Sequence, residues 1–205
     1  MDQEHMNAAD AGQERKPRTG RRQPKKITAQ RLERVALAYL EKYAAPAAGV
    51  RRVLQRRVAK AARVHDTDIE AAHEWIEDVI ARLIRSGLVD DTAYAEMRAG
   101  SLHRQGASAR MTRAKLAAKG VGAEDIDAAL DTLAETVAAP DLAAACNWAR
   151  RRRLGRWRRR DREDHRDRDL ASLGRQGFGY ELARKVVDAE DREELEREAL
   201  SEDSA

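Results

Sequence analysis

Three short segments of this 205-residue chain repeat one pattern. Leu54-Gln55-Arg56-Arg57-Val58 is the first, Leu116-Ala117-Ala118-Lys119-Gly120-Val121 the second, and Leu173-Gly174-Arg175-Gln176-Gly177-Phe178 the third. Each reads as a leucine, two spacers, a basic or amide residue, a turn and an apolar residue. The leucines stand 62 and 57 residues apart. A helical pattern precedes each segment and an amphipathic one follows it. A unit of this length buries its apolar face against its neighbours in the chain. The recurrence therefore predicts an all-α, elongated, curved array of tandem three-helix repeats.

Helical periodicity fills the intervals between these segments. Leu32, Val35, Tyr39, Leu40 and Tyr43 fall three and four apart, and Pro46 breaks the run. Val50, Val53, Leu54 and Val58 predict a second short helix. The strongest stripe is Ala72, Trp75, Ile76, Val79, Ile80, Leu83 and Ile84. Thr67 and Glu70 are spaced to form its capping box, and Gly87 suits a left-handed end. Asp90 and Asp91 open the next helix, where their charge suits the helix dipole. Ser108 is placed to cap the following one, Gly120 to end it, and Pro140 with Asp141 to start another. The expected organisation is a basic disordered tail over 1–26, repeats over 27–88, 89–138 and 139–188, and an acidic tail over 189–205. Alanine supplies 39 residues and aromatics only 4%, so the helices are many and the cores thin. That composition argues against an all-β fold.

The first tail holds Arg15, Lys16, Arg18, Arg21, Arg22, Lys25 and Lys26. It reads either as an arm touching nucleic acid or as a solubilising segment. The last stretch is acidic and reads as a frayed helix or a disordered tail. No apolar run is long enough for a membrane span and no secretory signal is evident. Cys146 is the sole cysteine, which excludes an internal disulfide and fits a cytoplasmic location. It lies on an apolar helix face and reads as a small core residue.

Catalytic motifs are absent: there is no Gly-rich phosphate loop, HExxH pair or nucleophile elbow. No cofactor or metal is implied. Asp161, Glu163, Asp164, Asp167 and Asp169 could serve a metal-dependent nuclease. Arg162, Arg166 and Arg168 interleave them, and a salt-bridged helix face is the simpler reading. The most unusual stretch is Arg150 to Arg168, which carries eleven arginines beside Trp148 and Trp157. Its first half, 150–160, has no acid to neutralise it. It reads as an interaction surface for phosphates and bases or for an acidic protein face, against a linker helix paired with the acids that follow.

At Gly87-Leu88-Val89-Asp90-Asp91 with Tyr94-Ala95, the chain resembles the RecX family, which carries a G-L-[LIV]-[DN]-D-x-x-[FY]-A signature. Leu116, Lys119-Gly120-Val121, Ile126 and Leu130 resemble a second family motif. Leu173 to Phe178 resembles a third, and Ala38-Tyr39-Leu40 also fits. The resemblance spans about residues 30–188. The chain departs from the family at Tyr39-Leu40-Glu41-Lys42-Tyr43 and Ala45-Pro46-Ala47, where a Y-L-x-x-R run and a serine cap are usual. Its run from Arg150 to Arg160 is also longer.

The resemblance implies tandem three-helix repeats and a non-enzymatic regulator of the RecA recombinase. Such a protein binds the groove of the RecA filament on single-stranded DNA. It inhibits ATP hydrolysis, strand exchange and co-protease activity, in DNA repair and the SOS response. The residues expected to contact filament or DNA are Arg110, Arg113, Lys115 and Lys119 in the second repeat. In the third they are Arg150, Arg151, Arg152, Arg153, Arg156, Arg158, Arg159 and Arg160. Their role is electrostatic. Asp90, Asp91 and Tyr94 are expected to be structural, the acids capping and the tyrosine packing. A monomer with weak single- or double-stranded DNA contact is expected, with no membrane partner. The alternatives are a DNA-binding protein acting without RecA, with its three-helix units used as helix-turn-helix readers, and the nuclease.

Overall fold

A computed structural model describes residues 24–200. The described residues are all-helical: α1 (Ala29–Leu40), α2 (Ala47–Ala61), α3 (Ile69–Arg85), α4 (Asp91–Arg104), α5 (Ala109–Lys119), α6 (Ala123–Thr136), α7 (Pro140–Arg152), a 3₁₀ turn (Gly155–Trp157), α8 (Arg166–Arg175), α9 (Tyr180–Asp188) and α10 (Arg192–Glu198). The tail expected over 1–26 lies outside the described residues as far as position 23.

Three apolar cores follow one another along the chain. Leu32, Leu54, Ile76 and Val79 lie in the first, built by α1, α2 and α3. Ala95, Leu116 and Ile126 lie in the second, built by α4, α5 and α6. Leu142, Leu173 and Val186 lie in the third, built by α7, α8 and α9. The second core leans on alanine, so each of its few large side chains contributes much of its burial. A fully buried leucine is worth about 1.5–3 kcal/mol. The middle helices keep one register: Leu54, Leu116 and Leu173 are each the eighth residue of α2, α5 and α8, and all are fully buried.

The repeated segment has a physical basis in two of its three copies. At the end of α5, the Val121 N–H donates to the Leu116 carbonyl at 3.2 Å and the Gly120 N–H to Ala117 at 2.8 Å. At the end of α8, Phe178 donates to Leu173 and Gly177 to Gly174 in the same way. These are Schellman closures, with the leucine and the last apolar residue packed together across a left-handed glycine. The first copy differs from the expectation. Leu54 to Val58 lies inside α2, which continues to Ala61 without a turn. It has no glycine, so Val58 instead becomes a buried residue one turn after Leu54.

The N-terminus of α3 also differs. Asp68, not Thr67, is the cap; its Oδ1 accepts the Ala71 N–H at 3.0 Å. Thr67 instead donates its hydroxyl to the His65 carbonyl. A carboxylate in this position also complements the helix dipole, which a hydroxyl cannot do. Ser108 caps α5 as expected, accepting from Met111.

The repeats join by recurring contacts. Asp90 caps its own helix by accepting from Ala93, whereas Asp91 Oδ1 reaches the N–H of Ala47 at 2.7 Å. Ala47 begins α2 behind Pro46, which offers no side-chain acceptor. One repeat on, Asp141 Oδ1 accepts the N–H of Ala109, the first residue of α5, also at 2.7 Å. The ends of the middle helices meet the preceding repeat too. Arg52 donates to the Lys119 carbonyl and Ser108 to the Gln176 carbonyl. A side chain on Gly120 would come within 2.5 Å of the Ala48 Cβ, so the close approach of α5 to α2 requires glycine there.

The acidic stretch contains a helix. Leu195 and Ala199 of the α10 region are buried in the third core, while residues 201–205 lie outside the described part. Among the described residues, no helix is long and apolar enough to cross a membrane.

Candidate functional site

The arginine-rich stretch is a loop. In the first two repeats the connection between first and second helices is short, over residues 41–46 and 105–108. In the third it is 153–165. α7 is capped at its C-terminus by Arg153, whose φ of +56° lies in the left-handed region. The matching closure of α4 has Gly106 there. An arginine in that conformation costs about 1 kcal/mol relative to glycine. Leu154 then turns inward and is buried.

Asp169, on α8, anchors the loop from below. It is 1% exposed. Its Oδ2 accepts the Gly155 N–H at 2.9 Å, and its Oδ1 accepts Arg158 Nη2 at 2.7 Å. The bond to Asp169 raises the Arg158 pKa. Further along, Arg162 donates to the Ala189 carbonyl, and Arg166 makes a two-pronged pair with Asp188. That pair holds the Asp188 carboxyl below its ordinary range.

The salt-bridged helix face expected over 161–169 is therefore not what forms. α8 begins only at Arg166, and Arg166 reaches across to Asp188 and Arg162 to the Ala189 carbonyl rather than to acids three or four residues away. Forked guanidinium–carboxylate contacts outweigh the few tenths of a kcal/mol, about 0.2–0.5, that a local helix pair supplies. The linker is likewise a loop and not a helix, although Arg158 does pair with Asp169, one of the acids that follow. Asp169, one of the carboxylates considered for a nuclease, is engaged by Gly155 and Arg158.

Several of the expected contact residues come together here. Arg150, Arg153, Arg156, Arg158 and Arg159 line a hollow of about 470 Å³ with Trp157. Arg150 hydrogen-bonds Asn147 and lies 3.8 Å from Glu196. Arg152 stacks on Trp148, its guanidinium carbon 4.8 Å from the ring centroid, a cation–π contact outside the hollow. Arg151 and Arg160 are exposed and lie outside it as well. Arg110, Arg113, Lys115 and Lys119 are exposed on α5, in another repeat. Arg113 pairs there with Asp127.

The hollow also contains a residue that the sequence pattern does not reveal. Arg192 joins it because α10 folds back on Leu195. In sequence it sits among acids, and only the burial of Leu195 places it beside the loop. Cys146 is buried in the third core, and burial pushes its thiol up to about 11. It is protonated at neutral pH. Among the described residues, no group of three or more histidine, cysteine or acidic side chains is placed to hold a metal ion.

The RecX second three-helix domain matches residues 90–130, from the cap of α4 into α6. A regulatory protein RecX of Myxococcus xanthus is 40% identical over 186 residues, covering 90% of this chain and 98% of its own. A regulatory protein RecX of Agrobacterium fabrum is 33% identical over 147 residues, covering 65% of this chain and 77% of its own. A crystal structure of regulatory protein RecX superposes with a TM-score of 0.58 at 21% identity, over 78% of this chain and 72% of the other. The structural likeness carries the fold, and the sequence identity along nearly the full length of the Myxococcus protein carries the kinship: the chain belongs to the RecX family.

Proposed function

We propose that this chain regulates the RecA recombinase by binding the groove of its filament on single-stranded DNA. Binding there lowers ATP hydrolysis, strand exchange and co-protease activity, and so acts in DNA repair and the SOS response. The observation that carries the reading is the 40% identity to a regulatory protein RecX over 98% of that protein's length. The protein acts without chemistry of its own, as a cytoplasmic monomer.

The architecture suits the task. Repeats over 27–88, 89–138 and 139–188, stacked in a curved and elongated body, would each touch a different filament subunit. Weak contacts on one connected body act together, because each one raises the effective concentration of the next. Arg110, Lys115 and Lys119 on α5, with Arg151 and Arg160 beside the third repeat, supply exposed charge for acidic protein surface or DNA phosphate. Arg158 is engaged with Asp169 and supports the loop rather than the contact. Binding to DNA alone is weak and falls steeply with salt.

Co-sedimentation with RecA filaments on single-stranded DNA tests this. The chain is expected in the filament pellet, and changing Arg110, Lys115 and Lys119 together to glutamine should release much of it. A chain that stays in the supernatant, while giving a sequence-selective gel shift on DNA alone, would instead support DNA binding without RecA.

A further inference from the structure

The hollow between the 153–165 loop and α10 carries more positive charge than the ion pairs of the described residues answer. Arg158 is neutralised by Asp169 and Arg150 lies near Glu196. No ion pair to an acid is formed by Arg153, Arg156, Arg159 or Arg192 among the described residues. These four come from separate places: the end of α7, the 3₁₀ turn, the loop and α10. Like charges gathered from distant points repel one another, and among the described residues the acids Asp161, Glu163 and Asp164 line the adjoining hollow that Arg156 and Arg159 also border, without pairing with either. Arg153 does so in a left-handed conformation where the matching turn of the preceding repeat has glycine.

We propose that this hollow is a polyphosphate site, taking a ligand with two or more adjacent phosphate groups. Guanidinium forks match phosphate oxygens in pairs, and each phosphate brings more charge per volume than a carboxylate. At about 470 Å³ the hollow suits a small polyanion or a short length of strand rather than a folded protein surface. Its wall includes Trp157, partly buried, which gives a flat apolar side beside the phosphate-binding groups. The anchor on Asp169 sets Arg158 and the Gly155 backbone in place before any ligand arrives, so little ordering cost falls on binding. The site does not depend on the RecA reading and is tested without the recombinase.

The test is calorimetric titration of inorganic tripolyphosphate into the full chain at physiological ionic strength. Saturable one-to-one binding is expected, at least tenfold tighter than for inorganic orthophosphate. Arg156→Gln with Arg159→Gln should weaken it at least tenfold. Arg192→Gln, on a different element, should weaken it severalfold, and Arg85→Gln on α3 should leave it unchanged. All four side chains are exposed, so circular dichroism should show intact helices in each variant. A short oligothymidylate is then added as competitor. Displacement of tripolyphosphate identifies the physiological phosphates as those of a nucleic-acid strand; retention identifies a free polyphosphate or nucleotide. No saturable binding, or binding that ignores both the loop and the Arg192 substitutions, would overturn the proposal.

Discussion

The carboxylate of Asp141 accepts the backbone N–H of Ala109 at 2.7 Å, and so the third repeat caps a helix of the second. Asp91 does the same for Ala47 one repeat earlier. In both cases an acid in the first turn of one repeat supplies an acceptor to the middle helix of the repeat before it. Neighbouring repeats thus share a helix cap as well as an apolar contact. Asp141→Ala should lower stability by about 1 kcal/mol, as the loss of a helix cap does. Chemical denaturation checks the size, and hydrogen exchange at Ala109 should quicken more than at amides of the first repeat.

The glycines of the third repeat separate two roles. Gly177 ends α8 in a left-handed conformation against Ser108 and Met111, whereas Gly174 lies within α8 with open space around its Cβ position. Gly177→Ala should destabilise by about 1–3 kcal/mol through strain and overpacking. Gly174→Ala should stabilise by about 0.5–1 kcal/mol, the helix-propensity gain. Thermal melts of the two variants should move in opposite directions.

Asp169 holds the arginine loop at two separate groups, the Gly155 amide and the Arg158 guanidinium. Asp169→Ala leaves the Gly155 amide and the Arg158 guanidinium without their acceptor, at a cost on the order of 3 kcal/mol. The loop should also become sensitive to trypsin at Arg156 and Arg159 while the first repeat stays resistant. Limited proteolysis followed by mass spectrometry reads this directly.

Burial keeps the Cys146 thiol protonated up to about pH 11, whereas the unfolded chain releases that proton nearer its ordinary value of 9.0. Between those values the folded state binds one more proton than the unfolded state. Stability should therefore fall as pH rises through that window, by about 1.4 kcal/mol per pH unit at most. Cys146→Ala should remove this part of the alkaline decline. Equal declines in both proteins would contradict the assignment.

Local patterns in the chain carried the helices and most of their ends. Ser108, Gly87, Gly120 and Pro140 act where their chemistry predicts, because capping and left-handed turns depend on a few adjacent residues. The features that escaped depend on distant partners. Asp91 looks like a cap for its own helix and serves Ala47, 44 residues away. Asp169 looks like part of a charged helix face and is buried because Gly155 and Arg158 converge on it. Arg192 looks offset by its acidic neighbours and joins the arginine hollow only because Leu195 anchors α10. The leucine at 54 keeps the repeat's spacing but not its turn, since α2 has no glycine at which to stop.

RecA-filament regulation is tested most directly by DNA-dependent ATP hydrolysis. Cognate RecA on single-stranded DNA is assayed with this protein titrated well below one molecule per recombinase subunit. Inhibition at these ratios is predicted, and it should weaken when Arg150, Arg151, Arg152 and Arg153 are changed to alanine. Unchanged hydrolysis at every ratio, at both low and moderate salt, would contradict the account.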